Sequence, residues 1–480
     1  LAYWTTFGSG TASTSTGTLN APSAPATSVT GPAAVHLSWT GSPLSNGMSA
    51  LGYYVTRSSG PAPTACGTLA APLATVTCND TGVADGTHTY TVTAVYGSWT
   101  ARGAASTPAI TVVNDKTPPV VTVTSVNGLP RTFPYSTNAT VTSFGGACGV
   151  LTGDSTTVTP LLNGAATAPV TATCTSGTWT LTLTTALSTD GGRTLSATQA
   201  DTAGNIGTTT SQTVTVDKTV PTVTINQAVA QADPTNSSTV AFTAVFSEAV
   251  SGFVNTDVTV AGTALGTKTV GITGSGPTYT VTVSGATGNG AIIASIGSSM
   301  VQDPAGNDNT ASTSTDRKIT LDTTPPTISS VTLTNVLTLG QAATGDTVTV
   351  TYPGKMNATT VCSTWTNTGT QTLSGTAVTV TITQNGSNDL LTVTASNCTG
   401  LAIGSIALGD YVSATTTFSG TNGRVSLTTA GVLKVRLGTG SGSATNVMAA
   451  TPVYTPADGL TDLAGNALAT TPFTGTSSRF

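Results

Sequence analysis

Asp346-Thr347-Val348-Thr349-Val350-Thr351-Tyr352 alternates polar and apolar side chains from Thr347 onward. A period of two sets Val348, Val350 and Tyr352 on one face and the threonines on the other, the mark of a strand with one buried side. Tyr279-Thr280-Val281-Thr282-Val283 and Val121-Thr122-Val123-Thr124 repeat the pattern. So does the stretch from Val432 to Leu437, where Leu433, Val435 and Leu437 share a face opposite Lys434 and Arg436. Threonine is β-branched, so the outer face keeps its strand propensity while showing water a hydroxyl instead of a charge. Good helix formers are scarce, and Thr, Ser, Gly and Val dominate. The fold class is therefore all-β.

The chain of 480 residues is too long for one sandwich, and it repeats itself. Asp115-Lys116-Thr117-Pro118-Pro119 returns as Asp217-Lys218-Thr219-Val220-Pro221 and as Asp322-Thr323-Thr324-Pro325-Pro326, 102 and 105 residues on. About 100 residues is the size of an immunoglobulin-like sandwich. Proline at each seam stiffens the joint. A second motif keeps step with the first: Asp201-Thr202-Ala203-Gly204-Asn205, Asp303-Pro304-Ala305-Gly306-Asn307 and Asp462-Leu463-Ala464-Gly465-Asn466. The first two copies precede the next seam by 16 and 19 residues, and the third lies 18 residues before Phe480, which places a domain end there. The expected organisation is an N-terminal segment 1–19 and domains at 20–114, 115–216, 217–321 and 322–480. The last is too long for a plain seven-strand sandwich, so it is either an elaborated one or one with an insertion between Cys398 and Asp462.

Charged residues make up 7 % of the chain, against about 25 % in an ordinary globular protein. The net charge is −5, and Glu248 is the single glutamate. No basic patch exists to meet nucleic acid, and no apolar run is long enough for a membrane-spanning helix. The chain opens at Leu1, which reads as a mature form after removal of an export signal. Six cysteines allow 15 pairings. Keeping each pair inside one domain selects Cys66–Cys78, Cys148–Cys174 and Cys362–Cys398, and three local disulfides imply an oxidising, extracellular compartment.

Catalytic constellations are lacking in the sequence. His36 and His88 sit in or beside predicted strands, and no carboxylate pair suits a glycosidase. The Asp-x-Ala-Gly-Asn stretches read as turns, with Asp bonding to backbone and Gly and Asn accepting positive φ. Their carboxylates could meet the seam aspartates around calcium, but one carboxylate per turn gives too few ligands, and no cofactor is expected. The six lysines are too few to favour Lys–Asn cross-links. Sequons at Asn79, Asn138, Asn236, Asn357, Asn385 and Asn397 arise readily in so Thr-rich a chain.

Residues 20–114 resemble a fibronectin type III domain through Val35-His36-Leu37-Ser38-Trp39, Gly52-Tyr53-Tyr54-Val55-Thr56-Arg57 and Tyr90-Thr91-Val92-Thr93-Ala94-Val95-Tyr96. The resemblance implies that Trp39 lies in the core and that Tyr90 is the tyrosine of a late strand. The next two units resemble bacterial immunoglobulin-like repeats, including Phe246-Ser247-Glu248-Ala249-Val250 and the Asp-x-Ala-Gly-Asn turn. That implies a prokaryotic surface protein and no chemistry.

Ahead of these units stands Leu1-Ala2-Tyr3-Trp4-Thr5-Thr6-Phe7-Gly8-Ser9-Gly10, followed by Thr- and Ser-rich sequence to Gly17-Thr18-Leu19. Such an uncharged aromatic strand is sticky when left in water. The segment resembles the mature start of the camelysin/TasA group, secreted by a SipW-type route, whose members build extracellular fibres. The resemblance implies a fibre-building protein, and the exposed aromatic segment of a nearly uncharged chain is expected to make a filament or pilus subunit by strand donation: residues 3–15, with Tyr3, Trp4, Thr5 and Phe7, leave their own subunit and complete a sheet in the next copy. Two other readings fit a secreted or surface protein. One is an adhesin or stalk meeting another cell, with the enlarged fourth domain as the binder. The other is an accessory module that holds polysaccharide on Trp99, Trp179 or Trp365, although each of these tryptophans is expected in a core.

Overall fold

The computed structural model describes residues 17–31, 33–58, 64–113, 115–444 and 446–480. Strands dominate it, and its hydrophobic residues gather in four separate clusters, between Val35 and Val112, Val121 and Val216, Val223 and Leu321, and Val331 and Phe480. The described residues up to Lys218 and those from Thr219 onward form two compact units, each with two of these cores.

In the first sandwich, strands Ala26–Gly31, Ala34–Ser38 and Thr77–Thr81 face a sheet of Thr64–Cys66, Gly52–Arg57, Tyr90–Tyr96 and Trp99–Ala105. Val35, Leu37, Val55, Tyr90 and Val92 fill the space between them. Cys66–Cys78 ties one sheet to the other. Trp39 is buried, with its ring edge-on to Tyr53 at 5.7 Å.

The second sandwich sets Val141–Ala147 and Thr178–Leu187 against Tyr135–Thr137, Gln212–Val216, Gly191–Asp201 and Asp154–Leu162. Val121 and Val123 are buried as their alternation predicts, and the Thr122 and Thr124 amides donate to the carbonyls of Ala147 and Gly145. Trp179 is a core residue whose indole N–H donates to the Thr122 and Ala147 carbonyls at 3.1 and 3.0 Å. Cys148–Cys174 closes this domain.

The third sandwich has seven strands. Val223–Gln227, Val240–Phe246, Thr278–Ser284 and Thr269–Ser275 form one sheet, and Val258–Ala261, Gly290–Ile296 and Lys318–Leu321 the other. This four-plus-three arrangement is that of a constant-type immunoglobulin domain.

In the fourth, strands Ser330–Thr334, Thr347–Thr351, Val432–Arg436, Arg424–Leu427 and Gln371–Ser374 face a sheet of Thr416–Phe418, Val378–Thr383, Leu390–Ala395, Ser405–Ala407, Val453–Thr455 and Phe473–Thr474. The stretch between Cys398 and Asp462 supplies strands to both sheets, so the extra length elaborates the sandwich and is not an excursion from it. Leu433, Val435 and Leu437 point inward and Lys434 is exposed. Cys362, just after the short helix Ala358–Val361, is bonded to Cys398. Closed loops of the sizes in these three disulfides are each worth on the order of 3 kcal/mol.

A shared feature closes the last three sandwiches. Tyr135–Thr137 pairs in parallel with Val214–Val216, Thr235 bridges Leu321 in parallel, and Thr334 does the same with Arg479. The end of each domain is thus laced to a point near its beginning.

Candidate functional site

The turn motifs and the seam motifs keep the same phase because they touch. In the second sandwich the Asp201 carboxylate accepts the Asn205 amide N–H at 2.8 Å through one oxygen and the Asn205 side-chain amide at 2.7 Å through the other. That side-chain amide also donates to the backbone carbonyl of Asp115 at 2.8 Å. The fourth sandwich repeats the device: Asn466 bonds Asp462 and the carbonyl of Asp322, both at 2.9 Å. In the third, Asp303 accepts from the amides of Ala305 and Asn307 and from the Asn307 side chain. Gly204, Gly306 and Gly465 take φ of 92°, 90° and 91°, which a side chain resists. Burial would raise the Asp201 carboxyl, but the hydrogen bonds from Asn205, Gly204 and Ala203 outweigh it and hold it below the usual carboxylate range.

These contacts bear on calcium. At the second and fourth domains an asparagine amide stands against the turn carboxylate on the side facing the seam. At these two seams the carboxylate turns to its own backbone: Asp115 accepts the Thr117 amide, and Asp322 accepts the Thr324 amide; at the third, carboxylate oxygens of Asp217, Glu248 and Asp303 lie within 4.8 Å of one another. Amide donors do not ligate a cation, so these two donor sets do not fit one.

Other polar groups are buried within single domains. Arg57 and Asp80 form an ion pair of 2.6 Å inside the first sandwich, and the Tyr90 hydroxyl donates to the same Asp80 oxygen at 3.0 Å. Burial, reinforced by Asp80, pushes the Tyr90 hydroxyl far above its ordinary value. His88 contacts the Ala84 carbonyl at 2.7 Å and His36 the Asn79 side chain at 2.7 Å, both structural contacts. In the fourth sandwich the buried Tyr352 and Tyr454 hydroxyls meet at 2.9 Å, and burial pushes Tyr454 up to about 12. The buried Asp389 carboxylate accepts the amides of Tyr411 and Val412 at 2.7 Å each. Each of these groups is engaged with its own domain, and none faces a cleft as an acid, base or nucleophile would.

Tyr3, Trp4, Thr5 and Phe7 lie outside the described residues. Their root is visible. The Thr18 amide donates to Ser45 Oγ at 2.8 Å, the Ser45 amide returns a bond to the Thr18 carbonyl, and Leu19 bridges Leu44 and packs on the first core. Residues 17–19 therefore belong physically to the first sandwich. Of the three tryptophans weighed as sugar platforms, Trp179 and Trp365 are core residues, as expected. Trp99 is not: it is 50 % exposed, because it opens an edge strand, where it pairs across a tight turn with Tyr96. Sequence reasoning also missed the Arg57–Asp80–Tyr90 group, whose members sit on three strands that only the fold brings together.

A model of a bacterial Ig-like domain matches residues 217–319, and a second bacterial Ig-like domain model matches residues 135–218. No curated protein is matched by the chain. Among solved structures, the fibronectin(III)-like modules of Clostridium thermocellum CbhA are 14 % identical, over 42 % of this chain and 94 % of theirs, with a TM-score of 0.22. The FN1–FN3 domains of chicken CNTN1 are 12 % identical, over 64 % of this chain and all of theirs, with a TM-score of 0.21. The S-layer protein SbsC is 13 % identical, over 84 % of this chain and 65 % of its own, with a TM-score of 0.20. Residues 135–218 and 217–319 thus match bacterial Ig-like domain models, and the fold is all-β, in tandem sandwiches. Such repeat domains are typically non-catalytic, and they suggest a surface or extracellular protein of structural or adhesin-like kind. Three disulfides agree with that compartment, and no helix among the described residues is long and apolar enough to cross a membrane.

Proposed function

We propose that this protein is a non-enzymatic structural subunit of an extracellular filament, joined copy to copy by donation of its N-terminal segment. The observation that carries the reading is the segment itself: residues 1–16 hold Tyr3, Trp4 and Phe7 and no charged side chain. Strand addition draws affinity from main-chain hydrogen bonds and register from side-chain pockets, and such a segment offers both. A contact between unlike surfaces does not close on a pair, so it propagates. The resemblance to the camelysin/TasA group rests on this segment alone, and neither domain match reaches it.

The test is deletion of residues 1–16. The root at Thr18 and Leu19 would stay in place, and every disulfide and core lies downstream. The truncated protein is expected to melt as the full chain does and to remain monomeric by sedimentation and electron microscopy. Normal polymers from the truncated chain would defeat the proposal.

One observation favours a second reading. The exposed Trp99 ring, paired with Tyr96 at one end of the first sandwich, offers an uncharged aromatic face suited to stacking on sugar rings. Retention of the wild type, but not of Trp99→Ala, on insoluble polysaccharide would support an accessory binding role.

A further inference from the structure

Strand donation needs an acceptor, and sheet edges differ in fitness for it. In the second sandwich the edge strand Thr178–Leu187 has its inward residues Trp179, Leu181 and Leu183 buried, so a visiting side chain finds no room beneath it. The third sandwich is different. Its edge strand Thr269–Ser275 carries no charge and no proline, the usual guards of a free edge. Lys268, just ahead of it, turns its ammonium back to the carbonyls of Ala264 and Gly266. The inward residues Val270 and Ile272 are only half buried, although they pack on the core. Beside the strand runs a groove of about 400 Å³ between Val270–Gly274 and Phe253–Asn255, floored by Tyr279. Phe246, Phe253 and Tyr279 stand edge to face there, with centroids 5.0 to 5.9 Å apart.

We infer that this edge and groove receive residues 3–7 of a second copy, an inference that rests on the filament reading above. Extended, the segment would set Tyr3, Thr5 and Phe7 on one face, with the rings about 13 Å apart at ~3.3 Å per residue. That is the spacing between Val270 and Gly274 on the edge strand. The two rings would lie over Val270 and Gly274, on either side of Ile272, and at Gly274 no side chain stands in the way. Aromatic rings prefer the edge-to-face contacts that Phe253 and Tyr279 can extend to them. The segment is long enough to reach out: from Phe7 to the root at Gly17 an extended chain spans up to about 35 Å.

The test uses the full chain with Ile272→Lys, which puts a charge in the groove. The critical concentration for polymer formation is expected to rise at least about tenfold. An unchanged value would overturn the acceptor while leaving donation intact. Polymerisation that survives deletion of residues 1–16 would instead remove the donation reading itself. Because Ile272→Lys could disturb folding, a second variant decides independently: Thr5→Cys with Asn255→Cys, in a chain whose native cysteines are all paired. Mild oxidation should give a ladder of linked copies on a non-reducing gel, absent when the second cysteine is placed at the exposed Val120 instead. A linked species at monomer mobility would show the segment folding onto its own chain, and a ladder equal to the Val120 control would show no preference. Either result overturns the proposal.

Discussion

Asp80 illustrates how much a single side chain can matter in a chain with so little charge. Its carboxylate serves Arg57 and Tyr90 together, deep between the sheets of the first sandwich. Removing one member of a buried pair leaves the other charge unpaired, at a cost of about 3–5 kcal/mol. Asp80→Ala should destabilise the first sandwich by that amount, read as urea unfolding followed through Trp39 fluorescence. The double replacement Arg57→Met with Asp80→Leu should recover much of the loss. The Asn205 clamp predicts a smaller effect: Asn205→Ala should cost the second sandwich about 1–2 kcal/mol in urea unfolding followed through Trp179, its core tryptophan. Its pH dependence has a definite sign. Hydrogen bonds depress the folded Asp201 carboxyl, so its contribution is present above the ordinary carboxylate value of about 3.9. It is lost as pH falls through the lower folded value. Asn205→Ala should therefore differ most from wild type near neutral pH and least in strong acid. Neither group could be read from sequence as a group. Arg57, Asp80 and Tyr90 carry no spacing rule, and the acceptor of Asn205 is a backbone carbonyl 90 residues away, which leaves no mark on residue type.

At the scale of strands, the sequence was most legible where one face is buried along a whole element. Val348, Val350 and Tyr352, and Leu433, Val435 and Leu437, lie inward because alternation and burial are the same fact viewed locally and globally. It was least legible at edges, where a strand lacks a neighbour on one side, and Trp99 is the example: an aromatic residue in a strand, yet half in water. The fourth sandwich shows a further limit, since the region after Cys398 is cut into short strands of two to five residues, several of which pair with strands far away in sequence. One such partner is the end of the chain segment itself. Phe480 is fully buried, edge-on to Tyr411 at 5.2 Å, with its amide donating to the Tyr411 hydroxyl and its carbonyl accepting from Gly340. Phe480→Ala should cost the fourth sandwich about 3–5 kcal/mol in calorimetry, as truncation of a core aromatic does. The first three sandwiches should melt unchanged.

Across the molecule, low charge sets how copies and surroundings are felt. With 7 % charged residues and a net charge of −5, long-range repulsion between copies is weak. Assembly should therefore respond little to simple salt: between roughly 20 mM and 0.5 M sodium chloride the critical concentration should move by less than about threefold. Sulfate at the same ionic strength should lower it, because excluded salts favour burial of apolar surface. Light scattering across a salt series would check both. The parallel lacing at the end of each of the last three sandwiches has a mechanical meaning. When a tandem chain is pulled from its two ends, the first and last segments of every domain are drawn in opposite directions. Where those segments lie side by side and parallel, as Tyr135–Thr137 and Val214–Val216 do, tension loads their hydrogen bonds in shear, so that several must fail together and none can be unzipped alone. A domain built this way resists stretching far better than its equilibrium stability alone would suggest, and it suits a tether that works under load.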